Sequence, residues 1–493
     1  MLGKKLSQSF VFSILSMVFS FVSSVFIARI GGAAIFGNIS LATSFQSLLR
    51  QLFNSSLNNA HLKAYNEDSS IGLKNFLVLN LFFNMLTSIS IVGFIFWNSS
   101  ASGEVFSDLQ ISLIVIFILQ DYLTTPIFMY STNQYAKLNI ARGNLVDFSS
   151  QLLISLAKIG AVLYGFKEIG IAWSIVGACA LSSVYPLISL FKEKLGKVSM
   201  TVIRSYIKYA LYIFTSAMAY GLLLSFDKIL LGFFSVSAED IGYYNAGNRL
   251  GILLMSLGVS VGGIFLSVFT KNLAEKNHEK TLAQLKDYER SITVFFLPVI
   301  LVPIFFGEEL ISIIYGSAFA SGYLVLVFSL LVAYIKTLTI PYQNFLFAVN
   351  RFKEFNRTSV IFAIAIVGLT TLFAYFDVLG SKTTAVALGL FVSCLVERMI
   401  FVWEAARIDK NVKLFFHPKE VLFFTLIIAA FFIYMHYAVH DLTSLAVRFG
   451  MLLAVIPAGA LLGIYTWDDF YNIKGLVFKP KAAAVPAEAE PIL

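Results

Sequence analysis

The sequence predicts an all-α polytopic membrane protein of about fourteen transmembrane helices, on three observations. Apolar side chains make up 58% of the 493 residues and charged ones 13%, which is more apolar surface than an interior absorbs, so part of it must face lipid. The 49 Phe residues run from one end of the chain to the other, which leaves neither half free to be a large soluble domain. Lys and Arg concentrate in alternate connections between the apolar runs, as expected of loops on one side of a membrane.

A span needs about 20 largely apolar residues. On that measure the first half holds helices near 9–28, 35–60, 75–97, 109–132, 147–164 and 169–190. The second part continues near 209–226, 241–269, 291–306, 319–348, 358–376, 384–403, 420–436 and 443–465. Lys4 and Lys5 resemble the start of a signal peptide, but no small-x-small cleavage pattern precedes Arg29, so the first span is expected to be retained. With the N terminus in the cytoplasm, 27 Lys and Arg residues fall on the cytoplasmic side, against four (Arg29, Lys167, Lys228 and Lys382) on the other. One miscounted span in the middle would erase that bias. Both termini are therefore expected in the cytoplasm and the chain in the cell membrane, and the formal charge of +8 reads as a topology signal, with no nucleic-acid partner.

The internal loops are short, the longest lying at 191–208, 270–290 and 404–419, and none has room for a catalytic domain. KNLAEKNHEKTLAQLKDYER, ending at residue 290, is rich in helix formers with opposite charges at short spacings, which predicts a helical connector. Six spans end at KEKLGK (192–197) and six more near Arg407, and each half opens its second span on a Gly-aromatic entry, IFGNISLA (35–42) and DIGYYNAG (240–247). An even number of spans per half gives both copies one orientation. The expected arrangement is a parallel repeat of two six-helix lobes, 1–197 and 198–408, around a central cavity. Residues 409–466 add a peripheral helix pair, and 467–493, ending PKAAAVPAEAEPIL, form a mobile tail.

Charges within spans are costly, so their positions are informative. Gln46, Arg50, Asn54 and Asn58 recur every four residues in the second span, a stripe that must face protein or water. The first span carries Ser9, Ser13, Ser16, Ser20 and Ser23 on one face, suited to close packing or to a cavity wall. Asn245, Arg249, Ser256 and Ser260 share a face of span 8; Lys336 and Gln343 lie in span 10, Asp121 in span 4, Lys158 in span 5, and Glu397 beside Arg398 in span 12. Neighbours in sequence, Glu397 and Arg398 point to different partners. Asp121, Arg448 and the Glu397–Arg398 set could also be structural ion pairs. Mid-depth carboxylates are too few to neutralise Arg50, Arg249 and Lys336, and a cavity with excess positive charge prefers an anion, Arg being suited to phosphate by its planar fork.

Cys179 and Cys394 lie in apolar runs and read as packing residues. His61, His278 and His417 are placed in loops, and His436 and His440 at the outer end of span 13, so no metal site is expected. No Walker, dinucleotide or hydrolytic-elbow motif is present, which implies neither cofactor nor enzyme activity. Pro126, Pro186, Pro298, Pro303 and Pro341 interrupt apolar helices, and Gly262 with Gly263 permits bending or close packing.

FDKILLGFFSVSAEDIGYYNAGNRL (226–250), IARIGGAAIFGNISLA (27–42) and LISIIYGSAFA (310–320) resemble polysaccharide transport proteins, the O-antigen and teichuronic-acid type exporters of the multidrug, oligosaccharidyl-lipid and polysaccharide exporter superfamily. The resemblance runs from about residue 5 to 465. It implies a flippase with two six-helix lobes and a V-shaped cavity that passes a polyprenyl-pyrophosphate type oligosaccharide across the bilayer by alternating access. On that basis Arg50, Arg249, Lys336, Asn54 and Arg29 are expected to contact substrate, and Asp121, Asp227 and Glu397 to act in gating or ion coupling. Fourteen spans resemble the peptidoglycan lipid II flippase branch or longer polysaccharide exporters. Expected partners are the lipid-linked glycan, membrane lipid, a coupling sodium ion or proton, and a glycan polymerase or ligase. Two other readings stay open: an ion-coupled exporter of small organic cations, which calls for an acidic cavity, and a membrane scaffold in a glycan-export complex, which tolerates loss of Arg50 and Arg249.

Overall fold

The computed structural model describes residues 2–67, 73–100, 105–193, 196–274, 278–408 and 448–450. Twelve long helices account for nearly all of them: α1 (Leu2–Phe26), α2 (Ala33–Glu67), α3 (Leu73–Ser100), α4 (Asp108–Ala136), α5 (Ile140–Leu163), α6 (Glu168–Lys192), α7 (Met200–Phe233), α8 (Ala238–Ala274), α9 (His278–Tyr315), α10 (Tyr323–Ala348), α11 (Phe352–Tyr375) and α12 (Lys382–Ile408). No strand occurs among the described residues. The first twelve predicted spans fall on these helices in order, and the connector predicted at 270–290 is the end of α8 and the start of α9. The span at 420–436, most of that at 443–465, the segment 467–493 and His417, His436 and His440 lie outside the described residues.

Among the described residues, ten helical segments are long and apolar enough to cross a membrane, and the chain is a multi-pass membrane protein; α2 and α8 are not among the ten. Both run through the middle of the bundle, where α2 packs against α4, α7 and α8, and α8 against α2 and α10. Other helices shield them from lipid, so polar side chains are affordable there.

Neighbour relations recur between the halves. α4 packs on α2, α5 and α6 as α10 packs on α8, α11 and α12, while α1 lies on α5 as α7 lies on α11. Three sequence markers keep one constant separation between them: Pro126 and Pro341, the buried Cys179 and Cys394, and Asp121 and Lys336, each five residues ahead of its proline. Pro341 cannot donate to the carbonyl of Thr337, and the Tyr288 hydroxyl does so at 3.1 Å. In α9 the backbone leaves helical geometry at Phe306 (φ −132°, ψ 27°), three residues after Pro303. Arg448 donates to the Phe305 carbonyl at this kink (3.1 Å) and to Glu309 (2.8 Å).

The two halves meet most tightly at the end that carries the α1–α2 and α7–α8 turns. A Cβ added at Gly37 would sit 1.8 Å from the Ala238 carbonyl oxygen, and one at Gly242 would sit 2.1 Å from that of Ala33. The contacts are reciprocal, as at a two-fold axis between α2 and α8, and only glycine allows the backbones so close. Around this crossing Phe36 packs on Tyr315 and Phe319 with ring centroids 6.2 and 6.4 Å apart, and Phe106 packs edge-on against Phe233 at 5.2 Å. Gly37→Ala or Gly242→Ala should lower the melting temperature of the purified protein by several degrees, as overpacking that costs about 1–3 kcal/mol or more would. Gly368→Ala, where an added Cβ meets nothing within 4 Å, should leave it unchanged.

Candidate functional site

On α2 the four-residue stripe reaches α3 and α4. Gln46 Nε2 donates to Asp121 Oδ1 at 2.8 Å, and Arg50 Nη1 stands 4.0 Å from the same oxygen. The Arg50 guanidinium lies over the Phe128 ring, 3.6 Å from its centroid, and its side chain stays 29% exposed. Asn54 donates to Asn84 Oδ1 (3.1 Å), Asn84 to Thr125 Oγ1 (2.7 Å), and Thr125 to the Asp121 carbonyl (2.8 Å). Asn54 thus belongs to a chain of hydrogen bonds that fixes α2, α3 and α4 around Asp121. Asp147 on α5, at the edge of its predicted span and without a spacing signal, accepts from Ser131 Oγ (2.6 Å) and Tyr135 OH (2.7 Å).

Under the repeat, α2 against α7 corresponds to α8 against α1, yet the two contacts differ. α2 and α7 pack along their length, with His61 Nδ1 2.8 Å from Tyr206 OH and the His61 ring stacked 4.2 Å from Phe76. His61 was expected in a loop; α2 instead runs on to Glu67 and buries it. Between α1 and α8 contact is slight, and a cavity of about 230 Å³ opens there, lined by Ser16, Ser20, Phe21, Gln151, Arg249 and Ser256 among others. Arg249 makes no hydrogen bond or ion pair among the described residues, and its Nε is buried without a partner. Lys158, seven residues beyond Gln151 on α5, is likewise without a hydrogen bond or ion pair among them, and Arg249 is close enough to repel it. Ser16 and Ser20 of the serine stripe line the cavity, whereas Ser23 is buried and donates to the Ser20 carbonyl.

Four of the expected site residues are engaged elsewhere. Lys336, expected as an anion contact, is buried and paired to Glu397 at 2.7 Å, and Gln343 donates to the same carboxylate at 3.1 Å. Close packing of α10 on α12 brings them together and leaves Glu397 closed in. Arg398 points the other way, as its place beside Glu397 predicts, and binds Glu289 (2.6 Å) and the Leu338 carbonyl (2.8 Å). Glu289 lies in the stretch that composition reads as a connector, and α9, which begins at His278, carries it into the bundle. Asp227, expected near the outer surface as a gate, is fully buried and accepts from Lys228 (2.9 Å), Tyr244 (2.7 Å) and Asn248 (2.7 Å). Arg29 donates to the carbonyls of Ile313 and Ile314 at the end of α9, a favourable place for a cation. It ties the two halves together and does not reach the cavity lining. No cluster of His, Cys, Asp and Glu suited to a metal occurs among the described residues.

Breaking a buried ion pair from one side strands a charge, which costs about 3–5 kcal/mol, whereas replacing both partners with apolar residues is often neutral. Lys336→Met should therefore sharply reduce the yield and thermal stability of the purified protein, and Lys336→Met with Glu397→Met should restore most of both.

The fold resembles that of known transporters. The inward-closed lipid II flippase MurJ aligns with a TM-score of 0.71 and 16% identity, over 92% of this chain and 100% of that one. An inward-facing multidrug resistance MATE family transporter of the MOP superfamily aligns at 0.61 and 12% identity, over 80% of this chain and 96% of the other. A MOP superfamily transporter from Pyrococcus furiosus aligns at 0.57 and 12%, over 83% and 96%. No curated protein matches the sequence. The polysaccharide biosynthesis protein family model matches residues 26–323, more than half of the sequence, and with the polytopic helical fold it establishes that the chain belongs to that family.

Proposed function

We propose that the chain is a flippase that moves a lipid-linked oligosaccharide of the polyprenyl-pyrophosphate type, or a related anionic glycolipid, across the cytoplasmic membrane by alternating access. One observation supports this reading: Arg249 lines the cavity between α1 and α8 with no anion among the described residues to neutralise it, and Lys158 stands nearby in the same state. A phosphate entering that space gains a planar fork of donors in a low-dielectric setting, which replaces part of the hydration it leaves behind. The surrounding serine hydroxyls and Gln151 suit sugar hydroxyls. The slight α1–α8 contact leaves a side through which a prenyl tail can stay in lipid while the headgroup crosses.

Two six-helix lobes, 1–197 and 198–408, rock about the Gly37–Gly242 crossing in this scheme. With the N terminus cytoplasmic, the sealed end faces outward and the cavity loads from the inner leaflet. A small organic cation has no carboxylate among the cavity-lining residues to bind, which weighs against a cation exporter.

The test is translocation of a fluorescent polyprenyl-pyrophosphate oligosaccharide in proteoliposomes. Arg249→Ala and Arg50→Ala should each slow it by about tenfold or more, the loss of a charge-assisted hydrogen bond worth ~1.5–3 kcal/mol, without loss of folding. Wild-type rates in both variants would remove these residues from the site, and no transport by folded wild type across several glycans would remove the flippase reading.

A further inference from the structure

We propose that Asp121 is the internal counter-anion of Arg50, a positioning residue that holds the guanidinium until a phosphate-bearing headgroup takes its place. The inference rests on the anion-cavity reading above and assigns a role to a carboxylate that does not touch substrate.

The geometry of the Arg50–Asp121 pair is that of an exchangeable contact. Charge-assisted N–H···O bonds close to about 2.7–2.9 Å, and the buried pairs of the C-terminal half do so: Lys336 to Glu397 at 2.7 Å and Arg398 to Glu289 at 2.6 Å. Arg50 stays at 4.0 Å. Asp121 cannot follow it, because Gln46 holds its Oδ1 at 2.8 Å and the carboxylate side chain is only 5% exposed. Arg50 can move: its side chain is 29% exposed, and its guanidinium rests on the face of Phe128. The contacts of α2 with α3, α4, α7 and α8 place Arg50 inside the bundle, outside the set of residues that line the α1–α8 cavity.

The repeat supplies an internal comparison. Asp121 and Lys336 occupy matching positions five residues ahead of Pro126 and Pro341, one helix carrying the acid and the other the base. Lys336 is locked to its partner in a buried pair, whereas Asp121 faces a partner left partly free. Asp147 lies in the same neighbourhood of Arg50 but is already bound by Ser131 and Tyr135. A guanidinium has two donor edges, but the one that carries Nη1, the atom nearest Asp121, can take only one anion bidentately. A phosphate that binds Arg50 through that edge therefore displaces Asp121, and its departure restores the pair, so the carrier does not return with a stranded cation.

The test is binding of a short-chain prenyl diphosphate to detergent-purified full-length protein, compared among wild type, Asp121→Asn, Arg50→Gln, the double variant and Arg249→Ala. Removing the competing carboxylate should tighten binding by about tenfold, Arg50→Gln should weaken it, and Asp121→Asn should have no effect once Arg50 is gone. Multiple-turnover translocation by Asp121→Asn should slow despite the tighter binding, a pattern that general structural damage does not produce. Asn at 121 keeps an acceptor for Gln46, and Asp121→Ser serves the same purpose if the Asn variant is not monodisperse. Weaker binding in Asp121→Asn, or equal tightening with and without Arg50, overturns the inference. Binding lost in Arg249→Ala but unchanged in Arg50→Gln overturns it and leaves the anion cavity standing, whereas no binding by folded wild type overturns both.

Discussion

Moving a guanidinium or carboxylate out of water costs several kcal/mol even after the surroundings relax, and the placement of the helices follows from where those groups lie. α2 and α8 carry polar residues that lipid would not tolerate, so they run through the middle and the more apolar helices surround them. Once they are central, their shared face becomes the meeting line of the two halves, and polar side chains they carry, such as Arg249 and Ser256, line the space beside α8. The cavity and its shielding are products of one constraint.

The two halves handle that constraint differently. In the C-terminal half every charge named at the α9–α10–α12 contact has a close partner: Lys336 with Glu397, Arg398 with Glu289. Such pairs contribute little net stability over apolar packing, but they oppose any slippage that would separate them. In the N-terminal half and on α8, Arg50 is loosely held, and Lys158 and Arg249 have no ion partner among the described residues.

Much of the fold was legible in the sequence, because a transmembrane helix announces itself by length and apolarity, and the alternation of Lys and Arg gives an independent count. The Gly-aromatic entries IFGNISLA and DIGYYNAG marked the repeat, and they proved to be the place where its copies touch, through Gly37 and Gly242. The candidate site was legible only as a set of residues, not as their pairing. That Glu397 and Arg398 go to separate partners could be anticipated from direction around a helix, and that Asp121 could join an ion pair was visible without showing which base it meets. That Lys336 is locked to Glu397 could not, since it depends on the rotation of α10 against α12, and Glu289 was hidden by assigning the start of α9 to a connector. Asp147 and His61 escaped for a related reason: both sit where a span ends by composition although the helix and its packing continue.

The crossing of Gly37 and Gly242 gives the sealed end an unusual character. Most gates close by interlocking side chains, which must give up rotamer freedom each time they engage. Here the innermost contact is main chain on main chain, so that contact itself holds no side chain. In the alternating-access scheme proposed above, the resistance to parting then falls to the ring around it, the aromatic packing of Phe36, Tyr315 and Phe319 and the Arg29 link, which would act as a detent on each closure.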